Sequence, residues 1–156
     1  MLTRTSLSAL RCLLYLARQE PGAVLPPKRI AEDLSESPTY LAKTARLLVK
    51  AGILRAEKGV KGGVQLSRPP AQISLLAVVE ACQGAIVGNY CRPDGNPETT
   101  CAFHRAALEL HEAIVGVLSH WSLAQLQERP LPARRGRTGH VSCVLTTGAR
   151  SLTARG

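Results

Sequence analysis

Three cysteines and a histidine stand where chemistry is possible: Cys82, Cys91, Cys101 and His104. Eight residues separate the first two cysteines and nine the next two, and His104 follows Cys101 by three. Thiolates are the usual ligands of iron–sulfur clusters, with imidazole an occasional substitute. The intervening chain carries Gly84, Gly88, Asn89, Pro93, Asp94, Gly95, Asn96 and Pro97, which reads as an exposed loop able to turn backbone N–H groups toward sulfides. Cys101-x-x-His104 falls on the first turn of an expected helix, where the helix dipole favours a thiolate. Zinc is chemically open as well, although this wide spacing matches no common zinc finger. A Cys91–Cys101 thiol switch without metal is the other reading. The remaining thiols are blander: Cys12 reads as a small buried hydrophobe, and Cys143 as an incidental thiol. His111, His120 and His140 have no identifiable partners in the sequence.

The elements that hold these residues follow from pattern. Ala9, Leu10, Leu13, Leu14 and Ala17 recur at helical spacing, which predicts a helix from Ser6 to about Arg18. A short helix over Pro27 to Asp33 starts on a proline whose missing N–H costs nothing there. Ser37-Pro38 caps a third helix that runs to Ala51, and Gly52 supplies the left-handed stop. Ile30, Leu41, Ala45 and Leu48 are expected to pack inward, with Thr39, Tyr40, Lys43, Arg46 and Lys50 outward. Residues 53–58 and 64–66 then read as two short strands around a glycine-rich turn. Three helices followed by a basic hairpin define a winged helix-turn-helix. The fold class is therefore mainly α with a small β wing, joined to a long dimerisation helix.

Beyond Arg68-Pro69-Pro70, Ser74 caps a helix over Leu75 to Cys82. A long helix is expected from Cys101 to about Trp121. There Phe103, Ala107, Leu110, Ile114, Val117 and Trp121 repeat at spacings of 4, 3, 4, 3 and 4, a heptad seam. A small head offers little surface to cover such a seam, so a homodimer interface is the reading. Ser122-Leu123-Ala124-Gln125 has capping-box form and starts a short last helix. The organisation is thus a DNA-binding head over residues 1–68, a cysteine loop and dimerisation helix over 69–129, and a disordered basic tail over 130–156.

Charge follows the same division. The head holds 12 Lys/Arg against 5 Asp/Glu, the middle segment 3 against 6, and the tail 5 against none. A basic head on a mildly acidic arm suits a nucleic-acid partner. Five cysteines, an odd number, without an export signal argue against a disulfide framework. No apolar run approaches a membrane span, so no membrane partner is expected and the cytoplasm is the expected compartment. There is no Ser/His/Asp order, carboxylate pair or phosphate loop, and the glycines at 59–63 turn from strand to strand, so no enzyme is expected.

In a winged helix-turn-helix the third helix enters the major groove and the wing approaches the backbone or minor groove. That assigns Thr39, Tyr40, Lys43 and Thr44 to base edges or nearby phosphates of double-stranded DNA. Lys58 and Lys61 on the wing, with Lys28 and Arg29 at the start of the second helix, would position the protein through phosphates.

The run PTYLAKTARLLVKAGIL, the wing EKGVKGGVQLS and a cysteine loop ending in CAFH resemble the IscR/NsrR-type family of bacterial winged-helix regulators, over about residues 1–125. The resemblance implies a homodimer with crossed long helices that binds a pseudo-palindromic operator, usually as a repressor. Family members include iron–sulfur, nitric-oxide and cysteine-metabolism sensors. In cluster-bearing members three loop cysteines hold a [2Fe–2S] or [4Fe–4S] cluster, and the fourth ligand is a nearby His or comes from the partner's first helix. Here Cys91 matches the first cysteine and Cys101-x-x-His104 the end of the motif, while the usual middle cysteine is absent from Arg92 to Thr100. The expected ligand set is Cys82, Cys91, Cys101 and His104, with the metal-free thiol switch next.

Overall fold

The computed structural model describes residues 2–59, 62–86 and 101–128. Cys91, Lys61, most of the cysteine loop and the 130–156 tail lie outside the described residues. The order is α1 (Arg4–Ala17), α2 (Pro27–Asp33), α3 (Pro38–Lys50), β1 (Leu54–Glu57), β2 (Gly63–Leu66), a 3-10 turn (Pro70–Gln72), α4 (Leu75–Gln83), α5 (Ala102–His120) and α6 (Leu123–Glu128). This is the mainly helical chain with a two-stranded wing that the pattern predicts.

Helix α1 is the central post. Ala9, Leu10, Cys12, Leu13 and Leu16 are all buried, and it packs against α3, α4, α6 and β2. It begins two residues before the expected Ser6 because Thr3 caps it, accepting the N–H of Ser6 at 3.1 Å. Ile30 and Ala31 of α2 and Leu41, Ala45 and Leu48 of α3 complete the head's core.

Helix α3 starts on Ser37, whose Oγ accepts from Tyr40 N, and ends in a Schellman arrangement. Gly52 takes φ +68, its N–H reaches Val49 O, and Ile53 N–H reaches Leu48 O at 2.9 Å. Ile53 thereby belongs to the helix stop and is buried, which is why β1 starts at Leu54 instead of the expected 53.

Strands β1 and β2 pair antiparallel in the register Leu54↔Leu66 to Glu57↔Gly63. Leu25 and Val64 exchange both backbone hydrogen bonds, so the wing is tied to the segment before α2. That contact explains Gly63: a Cβ there would fall 2.4 Å from the Leu25 carbonyl.

The core continues past the wing. Ile73, Val78 and Leu123 join the same buried cluster as the head residues. Leu75 N–H bonds to Trp121 O and Leu123 N–H to Ile73 O, so the chain after α5 returns to clasp the start of α4. The capping box forms, with Ser122 N–H on Gln125 Oε1 at 2.8 Å and Gln125 N–H on Ser122 Oγ at 3.4 Å.

Helix α5 is different. Its 19 residues extend about 28 Å, it packs on α4, and His104 is its one buried residue. Phe103, Leu110 and Val117 are 66%, 61% and 60% exposed, a single stripe seven residues apart, flanked by half-buried Ala107, Ile114 and Trp121. Between α4 and α5 lies an apolar cleft of about 460 Å³, lined by Leu2, Val79, Ile86, Ile114, Val117 and Leu118 among others.

Candidate DNA-binding face and cysteine–histidine site

The sequence of α3 places its charges by helical period. Thr39, Lys43, Arg46 and Lys50 are exposed in one row, opposite the buried Leu41, Ala45 and Leu48. Lys28 and Arg29 are exposed in the first turn of α2, and Lys58 is exposed at the end of β1. One residue expected to reach bases or nearby phosphates sits otherwise. Thr44 is 1% exposed and its Oγ1 donates back to Tyr40 O at 3.1 Å, so that expectation is corrected. The reason is period: 44 lies between 41, 45 and 48 on the face turned to the core. Tyr40 is half-buried, its hydroxyl 3.0 Å from Thr5 Oγ1, with the Arg4 guanidinium over its ring.

The turn that aims α3 is held by a polar knot that sequence spacing did not reveal. Arg11 in α1 pairs with Glu36 at 2.6 Å and donates to Leu34 O at 2.7 Å. Ser8 donates to the same Glu36 carboxylate. Ser35, between them, is held at φ +53, a conformation few side chains adopt. One helical turn along α1, Tyr15 donates to Asp33. Burial first, and that hydrogen bond second, push the Tyr15 phenol up to about 12. The signals were present only as residue types, since partners 18 to 28 positions apart have no local pattern.

Cys101 is exposed and caps α5, its Sγ accepting from His104 N at 3.4 Å. The His104 side chain is buried, and among the described residues its Nδ1 has no hydrogen-bond partner. Cys82 does not join them. It is half-buried at the end of α4 and directs Sγ at Thr5 O, 3.9 Å away, and burial pushes its thiol up to about 11. A carbonyl oxygen repels a thiolate, so this environment suits the protonated form. Among the described residues no three of Cys, His, Asp and Glu converge on a metal position. Of the expected set Cys82, Cys91, Cys101 and His104, Cys91 lies outside the described residues, and Cys82 is turned to Thr5 O. Cys12 is fully buried, its thiol pushed up to about 12, as befits a core residue.

The fold and the basic row on α3 point to a regulator, and sequence comparison decides the family. Residues 2–129 match the family model Rrf2, described as "Iron-dependent Transcriptional regulator". The chain belongs to the Rrf2 family. Over 125 residues it is 33% identical to the HTH-type transcriptional regulator NsrR of Halalkalibacterium halodurans, covering 76% of this chain and 84% of that one. Its fold matches CymR, titled the global cysteine regulator of B. subtilis, with TM-score 0.69 and 22% identity over 83% of this chain and 98% of that one. It matches T. potens IscR with TM-score 0.67 and 20% identity over 88% and 93%. At those identities the two structures speak for the fold alone.

This Rrf2 protein is therefore a DNA-binding transcriptional regulator and not an enzyme. Among the described residues no helix is long and apolar enough to cross a membrane. Tested against an iron–sulfur group, its donors divide. An exposed thiol on a helix N-cap and a buried imidazole nitrogen with no partner among the described residues fit such a group, whereas Cys82 is turned to Thr5 O.

Proposed function

We propose that this Rrf2 protein is a cytoplasmic homodimeric repressor that binds a pseudo-palindromic operator and senses redox, nitric-oxide or iron–sulfur status at Cys91, Cys101 and His104. The observation that carries the sensor reading is the His104 Nδ1, buried without a partner among the described residues, three positions after an exposed, helix-capping thiol. An unsatisfied buried polar atom costs about 1–3 kcal/mol, so a polar interior nitrogen of this kind calls for a ligand. A bound [2Fe–2S] or [4Fe–4S] group would supply a redox-active, nitric-oxide-reactive centre.

This chain's own residues do the rest. Cys101 caps α5, so any change at its Sγ acts on the first turn of the helix that carries the exposed Phe103, Leu110 and Val117 stripe. A second copy crossing that stripe would bury it and cover the neighbouring apolar cleft. Two heads fixed to one seam would then present their α3 helices at a set spacing, as a two-fold operator requires. The signal would shift the population between spacings that fit DNA and those that do not.

The test is the iron content and visible absorption of protein purified without oxygen. Wild type is expected to be coloured, with the colour and iron lost in Cys101→Ala and His104→Ala. A colourless wild type overturns the cluster reading and leaves the family's DNA binding untouched.

A further inference from the structure

Arg4 opens α1 and is exposed, remote in sequence from every residue expected to touch DNA. Folding brings it to α3. Its guanidinium carbon lies 5.4 Å from the centroid of the Tyr40 ring, a cation–π distance. The ring is itself fixed, because the phenol oxygen sits 3.0 Å from Thr5 Oγ1 on α1. Tyr40 N is in turn bonded to the capping Ser37. Arg4 is thus held beside the N-terminal turn of α3, at the end of the exposed row Thr39, Lys43, Arg46 and Lys50.

Its charge is also uncompensated. Arg11 is neutralised by Glu36 and Arg55 by Glu57, whereas among the described residues no carboxylate makes an ion pair with Arg4. The cleft beside it, about 280 Å³ between α1 and the turn into α3, is lined by Arg4, Ser8, Ser35, Ser37 and Tyr40, together with the Arg11–Glu36 pair. A guanidinium resting on an aromatic face keeps its N–H edges outward, the geometry that grips a phosphate through two parallel hydrogen bonds.

We propose that Arg4 is a phosphate-gripping residue of the DNA interface and that Tyr40 serves as its platform, not as a reader of bases. The proposal rests on α3 being the helix that faces DNA. It extends the contact surface onto α1, so that the duplex backbone is held from two helices of each head.

The experiment uses full-length protein and a fluorescein-labelled 30-base-pair duplex of mixed sequence, with binding followed by anisotropy across a salt series. Each lost phosphate contact lowers the slope of log affinity against log salt by about 0.9. Arg4→Ala is expected to lower it by that amount per subunit and to weaken binding several-fold, with the melting temperature unchanged because the side chain is exposed. Arg4→Lys should keep the slope, since the charge remains, while losing affinity with the fork. Tyr40→Phe, which keeps the ring but loses the bond to Thr5, should weaken binding less than Arg4→Ala. Tyr40→Leu should weaken binding as much as Arg4→Ala, and combining the two should add nothing. A wild-type slope in Arg4→Ala overturns the proposal. Full affinity in Tyr40→Leu overturns the platform role. If wild type itself binds without salt dependence, the failure lies with the DNA-facing assignment of the head.

Discussion

Replacing Glu36 with alanine removes one partner of a pair that is almost out of water, with the Arg11 and Glu36 side chains only 15% and 11% exposed. Arg11 would keep its bond to Leu34 O but lose the Glu36 carboxylate, and Ser8 would lose its acceptor. Breaking a buried ion pair by deleting one member costs about 3–5 kcal/mol, because that partner no longer offsets the survivor's burial. The residual exposure argues for the lower end, about 3 kcal/mol. That is a large part of the about 5–15 kcal/mol available to a small domain. With a urea dependence of about 2 kcal/mol per molar, the unfolding midpoint should fall by about 1.5 M. Circular dichroism in a urea series reads this directly. The double replacement Arg11→Met with Glu36→Leu should recover most of the loss, since apolar pairs of similar volume commonly match or exceed a buried ion pair. The turn into α3 would lose its anchor as well, so operator affinity in Glu36→Ala should fall at urea-free conditions where the protein is still folded. A midpoint shift below about 0.5 M would refute the reasoning, because it would mean that Arg11 finds water or another acceptor without cost.

Four further outcomes are expected. Burial raises the Cys82 thiol from 9.0 to about 11, which leaves it about 100-fold less thiolate at pH 8 than an ordinary thiol. Iodoacetamide with peptide mapping should therefore label exposed Cys101 well before Cys82, and equal rates would contradict the burial argument. Cys12, raised to about 12, and Cys82 keep their protons in the fold while the unfolded chain releases them above about 9, so stability is complete below pH 9 and lost as pH climbs toward 11–12; a urea midpoint that stays level over that window would contradict it. Gly63→Ala places a Cβ 2.4 Å from the Leu25 carbonyl, which should cost about 1–3 kcal/mol by thermal melting, and an unchanged melting temperature would show that the wing is not tied down there. Leu110→Glu, in the middle of the exposed α5 stripe, should convert a dimer to a monomer by light scattering, whereas a persisting dimer would move the interface elsewhere.

What was legible in the sequence were the features with local rules. Pro27 and Ser37-Pro38 marked two helix starts, Gly52 a stop, and Ser122 with Gln125 a capping box, because each is a contact between residues within a few positions. The two-stranded wing and the exposed stripe of α5 followed from period alone. Thr44 shows the limit of that method: one step around α3 turned a candidate base contact into a core residue. Cys82 shows another, since nothing in its spacing from Cys91 and Cys101 reveals that α4 points it at Thr5. The Arg11–Glu36 and Tyr15–Asp33 contacts and the Arg4–Tyr40 stack join residues that only the packed fold brings together. The 3-10 turn at Pro70–Gln72 also escaped notice, hidden by the pair of prolines that seemed simply to end the head.

The central claim is that the state of the Cys101–His104 end sets how this regulator holds DNA. The direct measurement is the affinity of anaerobically purified protein for a duplex that the protein itself selects from a random pool, before and after the iron is stripped with a chelator. At least a tenfold change is expected, about 1.4 kcal/mol, and it should be absent in His104→Ala. Equal affinities from iron-loaded and stripped wild-type protein would contradict it.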